Sequence, residues 1–166
     1  MPPRVITSRE LGPTLGMYSH GMVAPSGEIV VVAGQVGMDA AGRLVGPGDV
    51  VAQTKQAYAN IEKVLRAAGS GMREVVRFQT FLTHATDIDG FMRARREVFP
   101  RHYLDGAYPP NTILVVSRLV QPALLVEIEA MAVKPAKAMS RPRAAAAKAK
   151  SRSRSSGRRQ PSKKRR

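Results

Sequence analysis

The chain has 166 residues, no cysteine and a formal net charge of +15. That length bounds it to one compact domain with an extension, and the missing cysteines exclude disulfides, thiolate metal sites and cysteine nucleophiles. The charge is unevenly placed: residues 134–166 hold 14 Lys or Arg and no acid, leaving 13 basic and 12 acidic residues in 1–133.

In chain order, residues 28–36 (EIVVVAGQV) form a continuous β-branched run. This predicts a strand covered on both faces, or nearly so. Gly34 within it predicts a bulge or a close backbone approach. Residues 39–43 read as a turn. Asp49 then reads as a helix N-cap, and Val51, Ala57, Tyr58, Ile61, Val64, Leu65 and Ala68 recur at helical spacing. Gly69 supplies the stop. Residues 74–83 predict a strand. A second helix starts at Asp87 or Asp89, with Phe91, Ala94, Val98 and Phe99 on one face and Arg93, Arg95 and Arg96 around it. Pro100 ends or disturbs it. Residues 111–119 and 124–133 predict two final strands.

The order is strands, helix, strand, helix, two strands. It predicts an α+β or α/β sandwich, one mixed sheet with both helices on one face. The other face then needs cover, so oligomerisation is expected. Residues 1–133 are the expected folded domain. Residues 134–166 are rich in Lys, Arg, Ala and Ser and lack large apolar residues, so they are expected to be a disordered basic tail. Such a tail has the charge for non-specific nucleic-acid binding. No apolar run reaches the length of a signal peptide or a membrane helix, so a soluble cytoplasmic protein with no membrane contact is expected.

His20, His84 and His102 stand far apart and make no ligand-spaced pair, so no metal site is expected. The glycines at 12, 16, 21 and 27 fit no phosphate-loop pattern. Glu127 and Glu129 are two apart in a strand and point to one face, roughly 6.5–7 Å apart at the backbone. Val126, Ile128, Ala130 and Ala132 make the opposite, core face. A carboxylate pair suits glycoside hydrolysis, but the chain has no Trp and few Tyr for a sugar platform. Leu125 and Met131 share the acidic face, which fits a cleft between subunits better than open water.

Several runs together resemble the RidA/YjgF family: LGPTLGMYSHG at 11–21, VAGQVGMD at 32–39, QTKQAYANI at 53–61, LRAAGS at 65–70, FLT at 81–83 and VEIEAMAV at 126–133. The resemblance spans residues 11–134. It implies a chorismate-mutase-like fold, a homotrimer with ligand clefts between subunits, and, in one branch, cofactor-free hydrolysis of reactive enamines and imines to a 2-oxo acid and ammonia. Within it, Tyr18 matches a family tyrosine and Glu127 a water-orienting glutamate. Arg118-Leu119 matches a common Arg-Leu pair.

Three positions depart from that branch. Asn111, after Pro109-Pro110, stands where an arginine grips the substrate carboxylate. Arginine offers a fixed fork of charged donors; asparagine offers one neutral amide. Ala33-Gly34-Gln35 replaces Ser-Gly-Gln, losing a hydroxyl. Arg95 stands in place of an asparagine in the second helix.

Two functions follow. One is an enamine or imine hydrolase of altered specificity, with Glu127 acting on water, the Ile113 carbonyl helping to hold it, Tyr18 and Asn111 orienting the ligand at Ala33 and Gly34, and Arg95 supplying a displaced cation. The other is a non-catalytic protein that binds a small molecule in the same clefts. Outside the family frame, Asn111 is simply the first residue of a strand after a rigid Pro-Pro.

Overall fold

Helix α1, Val50–Ala67, begins where Asp49 predicts it. The Asp49 carboxylate accepts hydrogen bonds from the N–H groups of Val51 (2.9 Å) and Ala52 (3.1 Å). These would otherwise be orphan donors at the helix start. The helix stops at Gly69, whose φ of +70° is left-handed backbone that favours glycine. Asp49→Ala is expected to cost about 1 kcal/mol. A urea melt should show a lower midpoint with an unchanged slope; an unmoved midpoint would rule the cap out as a stabilising contact.

The computed structural model describes residues 3–135. Four strands form the main sheet: β3 Gly27–Val36, β4 Val75–Leu82, β5 Asn111–Val115 and β6 Val126–Pro135, in the order β3-β6-β4-β5. β4 and β5 are parallel and the other pairs antiparallel, so the sheet is mixed, as expected. The parallel pair requires a crossover. Helix α2, Ile88–Val98, supplies it, with 3-10 turns at Ala85–Asp87 and Phe99–Arg101 on either side. A separate ribbon pairs β1, Arg4–Ile6, with β2, Gly21–Val23. No helix among the described residues is long and apolar enough to cross a membrane.

The core lies between the sheet and the helices. Ala57, Tyr58, Ile61 and Leu65 of α1 and Phe91 and Ala94 of α2 are buried against Phe78, Leu82, Val126 and Ile128. The Tyr58 ring stands edge-on to Phe78 and Phe99, a preferred aromatic geometry. Alternation along β6 puts Val126, Ile128, Ala130 and Ala132 into this core, as the pattern predicts.

Three expectations need correction. β3 is not covered on both faces: it is an edge strand, and Ile29 and Val31 are 67% and 70% exposed. The strand predicted over 111–119 ends at Val115, because β4 ends at Leu82; the Val116 N–H still reaches the Leu82 carbonyl, and beyond it no strand among the described residues pairs with the chain. The final strand starts at Val126 and continues to Pro135. Lys134 pairs with Glu28 in the ladder, and its ammonium lies 2.8 Å from the Glu28 carboxylate. The strand thus continues through Pro135. The rest of the predicted tail, 136–166, lies outside the described residues.

Candidate functional site

Glu127 sits on β6 with Val36 of β3 and Phe81 of β4 opposite it. The β3–β6 register shifts between Val32 and Gln35, so the bulge predicted at Gly34 is present. Its consequence is local. A Cβ added to Gly34 would lie 1.8 Å from Glu127 Oε1, so the glutamate fills the space a side chain at 34 would take. The half-buried Glu127 carboxylate accepts no hydrogen bond among the described residues. Two of the expected site residues, Glu127 and Gly34, therefore meet; Ala33 precedes Gly34 and lines the sheet-face groove with Glu129.

Among the described residues, no helix lies on the sheet face carrying Glu127. Val31, Arg77, Gln79, Glu129 and Met131 line a shallow groove there. It joins apolar side chains to one acid, Glu129, and one base, Arg77; the sequence reading names the acid and Met131 but not the base, and Leu125 packs against the core instead.

Asn111 is the first residue of β5 and lies opposite Phe78. Its Oδ1 accepts a hydrogen bond of 3.0 Å from the hydroxyl of Thr80, which is fully buried. Phe78 and Thr80 face the helices, whereas Phe81 shares the face of Glu127. Asn111 and Ile113 therefore send their side chains to the helix side, and Glu127 sends its own to the open side. One protomer does not bring these side chains together. The Ile113 carbonyl, in the plane of the sheet, is not bound by this alternation.

Tyr18 lies on the loop between β1 and β2, where its hydroxyl accepts from the Leu15 N–H at 3.2 Å. It borders a cavity of about 510 Å³ with Tyr108, Ser19 and His20. Arg95 is the largest surprise. The sequence places it among the outward arginines of α2, yet it is 1% exposed. Phe91, Ala94, Arg95 and Val98 share the buried stripe of the helix. The guanidinium lies 4.3 Å from the Phe99 ring centre and 5.6 Å from that of Phe91, a cation–π arrangement. Its Nη2 donates to the Met17 carbonyl, while Nε and Nη1 have no partner among the described residues. Burial pushes the Arg95 pKa below its ordinary value, and Tyr58, Tyr103, Tyr108 and Tyr18 lie within electrostatic reach and oppose that shift. These are all four tyrosines of the chain. The structure thus joins Arg95 to the Tyr18 loop rather than to the open sheet face.

Sequence reasoning misses Gln53 and Thr80. Gln53 is fully buried, donates to the carbonyls of Gly46 and Ala123, and accepts from the Leu125 N–H. It fixes the chain two residues before Glu127. The signal was available: Gln53 precedes Ala57, Ile61 and Leu65 at four-residue spacing, a polar residue in an apolar register.

The family model described as Endoribonuclease L-PSP matches residues 9–134. Protein DfrA of Myxococcus xanthus is 35% identical over 133 residues, 80% of this chain and 97% of that protein. The goat (Capra hircus) 2-iminobutanoate/2-iminopropanoate deaminase is 35% identical over 132 residues, 79% of this chain and 90% of that protein. Among solved structures, YyfB of Yersinia pestis, a protein of unknown function of the conserved Rid family, superposes with a TM-score of 0.72 at 34% identity. That match covers 81% of this chain and all of YyfB.

Proposed function

The chain belongs to the Endoribonuclease L-PSP family, the RidA/YjgF proteins, and from that premise we propose that it hydrolyses a reactive enamine or imine to a carbonyl compound and ammonia. The observation that carries this reading is the Glu127 carboxylate lying against side-chain-free Gly34. A half-buried carboxylate with unused lone pairs suits a base that holds and deprotonates water. Water adds to the C=N carbon, the resulting carbinolamine loses ammonia, and the C=O bond forms. Both protons of the water end on the leaving nitrogen, one at addition and one as the C=O bond forms, and an enamine first moves its N–H proton to carbon to become the imine, so no cofactor is consumed. Relatives named as imine deaminases support this reaction class.

The open sheet face supports assembly. Ile29 and Val31 need cover that neither helix gives, and three copies closing on these faces would enclose Glu127 in a cleft between subunits. Sedimentation of the full chain at micromolar concentration is expected to show a trimer. A monomer there would remove the inter-subunit cleft and the combined site with it.

Asn111 sets the specificity. With no charged fork at 111, activity on carboxylate-bearing imines is expected to be weak. The missing contact corresponds to about 1.5–3 kcal/mol, roughly one to two orders of magnitude in rate. The test is ammonia release from 2-aminoacrylate and related imines. Asn111→Arg is expected to raise it by that factor, and Glu127→Gln to abolish it. Wild-type turnover in Glu127→Gln would sink the assignment. Silence of the wild-type chain and of Asn111→Arg with every imine would leave the non-catalytic binding protein.

A further inference from the structure

The run at 53–61, QTKQAYANI, carries three amides that the hydrolysis just described does not use. Gln53, Gln56 and Asn60 stand three and four residues apart, along one side of α1. Such a stripe on a helix ordinarily faces water. Here Gln53 is fully buried, the other two are half-buried, and each reaches backbone outside the helix.

Gln56 and Asn60 hold β3 where it ends. Asn60 Nδ2 donates to the Val36 carbonyl at 3.1 Å and to the Met38 carbonyl at 2.8 Å. Gln56 Nε2 donates to the same Met38 carbonyl at 3.3 Å and to Asn60 Oδ1 at 2.9 Å, which keeps the Asn60 amide in that orientation. Gln53 holds the chain entering β6, donating to the Ala123 carbonyl at 3.0 Å and accepting from the Leu125 N–H at 2.9 Å. The end of β3 runs directly against it: a Cβ added to the buried Gly37 would lie 2.7 Å from Gln53 Cβ and 2.9 Å from its Cα.

The two strands held in this way are the two that seat Glu127. Val36 is the residue opposite Glu127 on β3, and Leu125 comes two residues before it on the chain. Between Val32 and Gln35 the β3–β6 register shifts. A bulge disrupts the ladder locally, so strand pairing alone does not set the distance from Gly34 to Glu127. A helix that grips β3 just past the bulge and the chain just before Glu127 supplies that constraint. Among the described residues none of the three amides is bonded to Glu127 itself; they reach it through the backbone.

We propose that Gln53, Gln56 and Asn60 are positioning residues, a clamp on α1 that holds β3 and β6 at the spacing which keeps the Glu127 carboxylate against Gly34. The effect of the clamp on turnover rests on the hydrolase reading; its hold on Glu127 does not.

Two measurements on the full chain test it, with Asn60→Leu and Gln53→Met as variants, each studied below its melting transition. Leucine is close to asparagine in size and favours a helix more, but gives the Val36 and Met38 carbonyls no donor. In ammonia release from 2-aminoacrylate, Asn60→Leu is expected to lower kcat by about tenfold to a hundredfold, the loss that a displacement on the order of an ångström produces. KM should stay within about twofold, since the base is moved and substrate binding is not. Added to Gly34→Ala, which displaces Glu127 by itself, Asn60→Leu should lower turnover no further. The second measurement needs no substrate: the carbon-13 signal of the Glu127 carboxyl, identified by its loss in Glu127→Gln. It should shift in both clamp variants and stay in place in Glu62→Gln, a change on the same helix that loosens the pair with Arg66. Should Gln53→Met fail to fold, Asn60→Leu, at a half-buried position, carries the test. A Glu127 signal unmoved in the clamp variants would overturn the proposal whether or not the chain releases ammonia. So would full turnover in Asn60→Leu beside an active wild type, or losses that add to those of Gly34→Ala; the amides would then only prop the residues after β3. A silent wild type with a shifting Glu127 signal would remove the hydrolase reading and keep the clamp.

Discussion

Gly34→Ala is expected to abolish ammonia release while leaving the fold intact. The added Cβ would lie 1.8 Å from Glu127 Oε1, 2.6 Å from Cδ and 2.8 Å from Cγ. Real Cβ atoms essentially never come within 3.0 Å of such a neighbour, so one of the two must move. The end of a glutamate side chain turns about its own bonds far more cheaply than two paired strands separate. Glu127 should therefore swing away, and the base with it. Gly34 is outside the left-handed region of backbone, so alanine adds no strain of its own. General acid–base catalysis contributes about 10²–10⁴ in rate, so turnover should fall by roughly a hundredfold or more, with a melting temperature within a few degrees of wild type. The double variant with Glu127→Gln should fall no further, since both changes remove one function. Near-normal turnover in Gly34→Ala would mean that the carboxylate works from a different position, and the close approach would lose its meaning.

What made this pair legible was strand arithmetic. A glycine in a β-branched run marks a bulge or a close approach, and alternation along 126–133 assigns Glu127 to the face away from Ile128 and Ala130. Helix α1 was legible for similar reasons, from Asp49 at its start to Gly69 at its stop. Arg95 was misplaced because a charged residue is assumed to face water. Its spacing from Phe91, Ala94 and Val98 puts it on the buried stripe, and in this helix spacing outranks residue type. The exposure of Ile29 and Val31 was not legible, since a continuous apolar run has one appearance whether a helix or another subunit covers it. Nor was the Thr80–Asn111 contact, which joins segments 31 residues apart. β1 and β2, three residues each, are too short for any period to register.

Removing residues 136–166 is expected to abolish nucleic-acid binding without disturbing the folded domain. The removed segment contains 13 Lys or Arg and no Asp or Glu, whereas residues 1–135 carry 14 basic and 12 acidic residues. The cut belongs after Pro135, because Lys134 is part of β6 and pairs with Glu28. Each phosphate neutralised on a duplex releases counterions and adds about 0.9 to the slope of log affinity against log salt. A tail that engages about half of its charges would lose roughly a thousandfold or more in affinity between 50 and 200 mM salt. It contains no aromatic residue, so base stacking adds nothing and sequence should matter little. It also has no Leu, Ile, Val, Phe or Trp, so it lacks the apolar anchors that would favour a bilayer over a polyphosphate. Fluorescence anisotropy on labelled duplexes of unrelated sequence, with anionic vesicles as competitor, distinguishes these cases. The prediction fails if the full chain ignores duplex at 50 mM salt, if the chain cut after Pro135 binds as well, or if vesicles compete better than unlabelled duplex at equal phosphate.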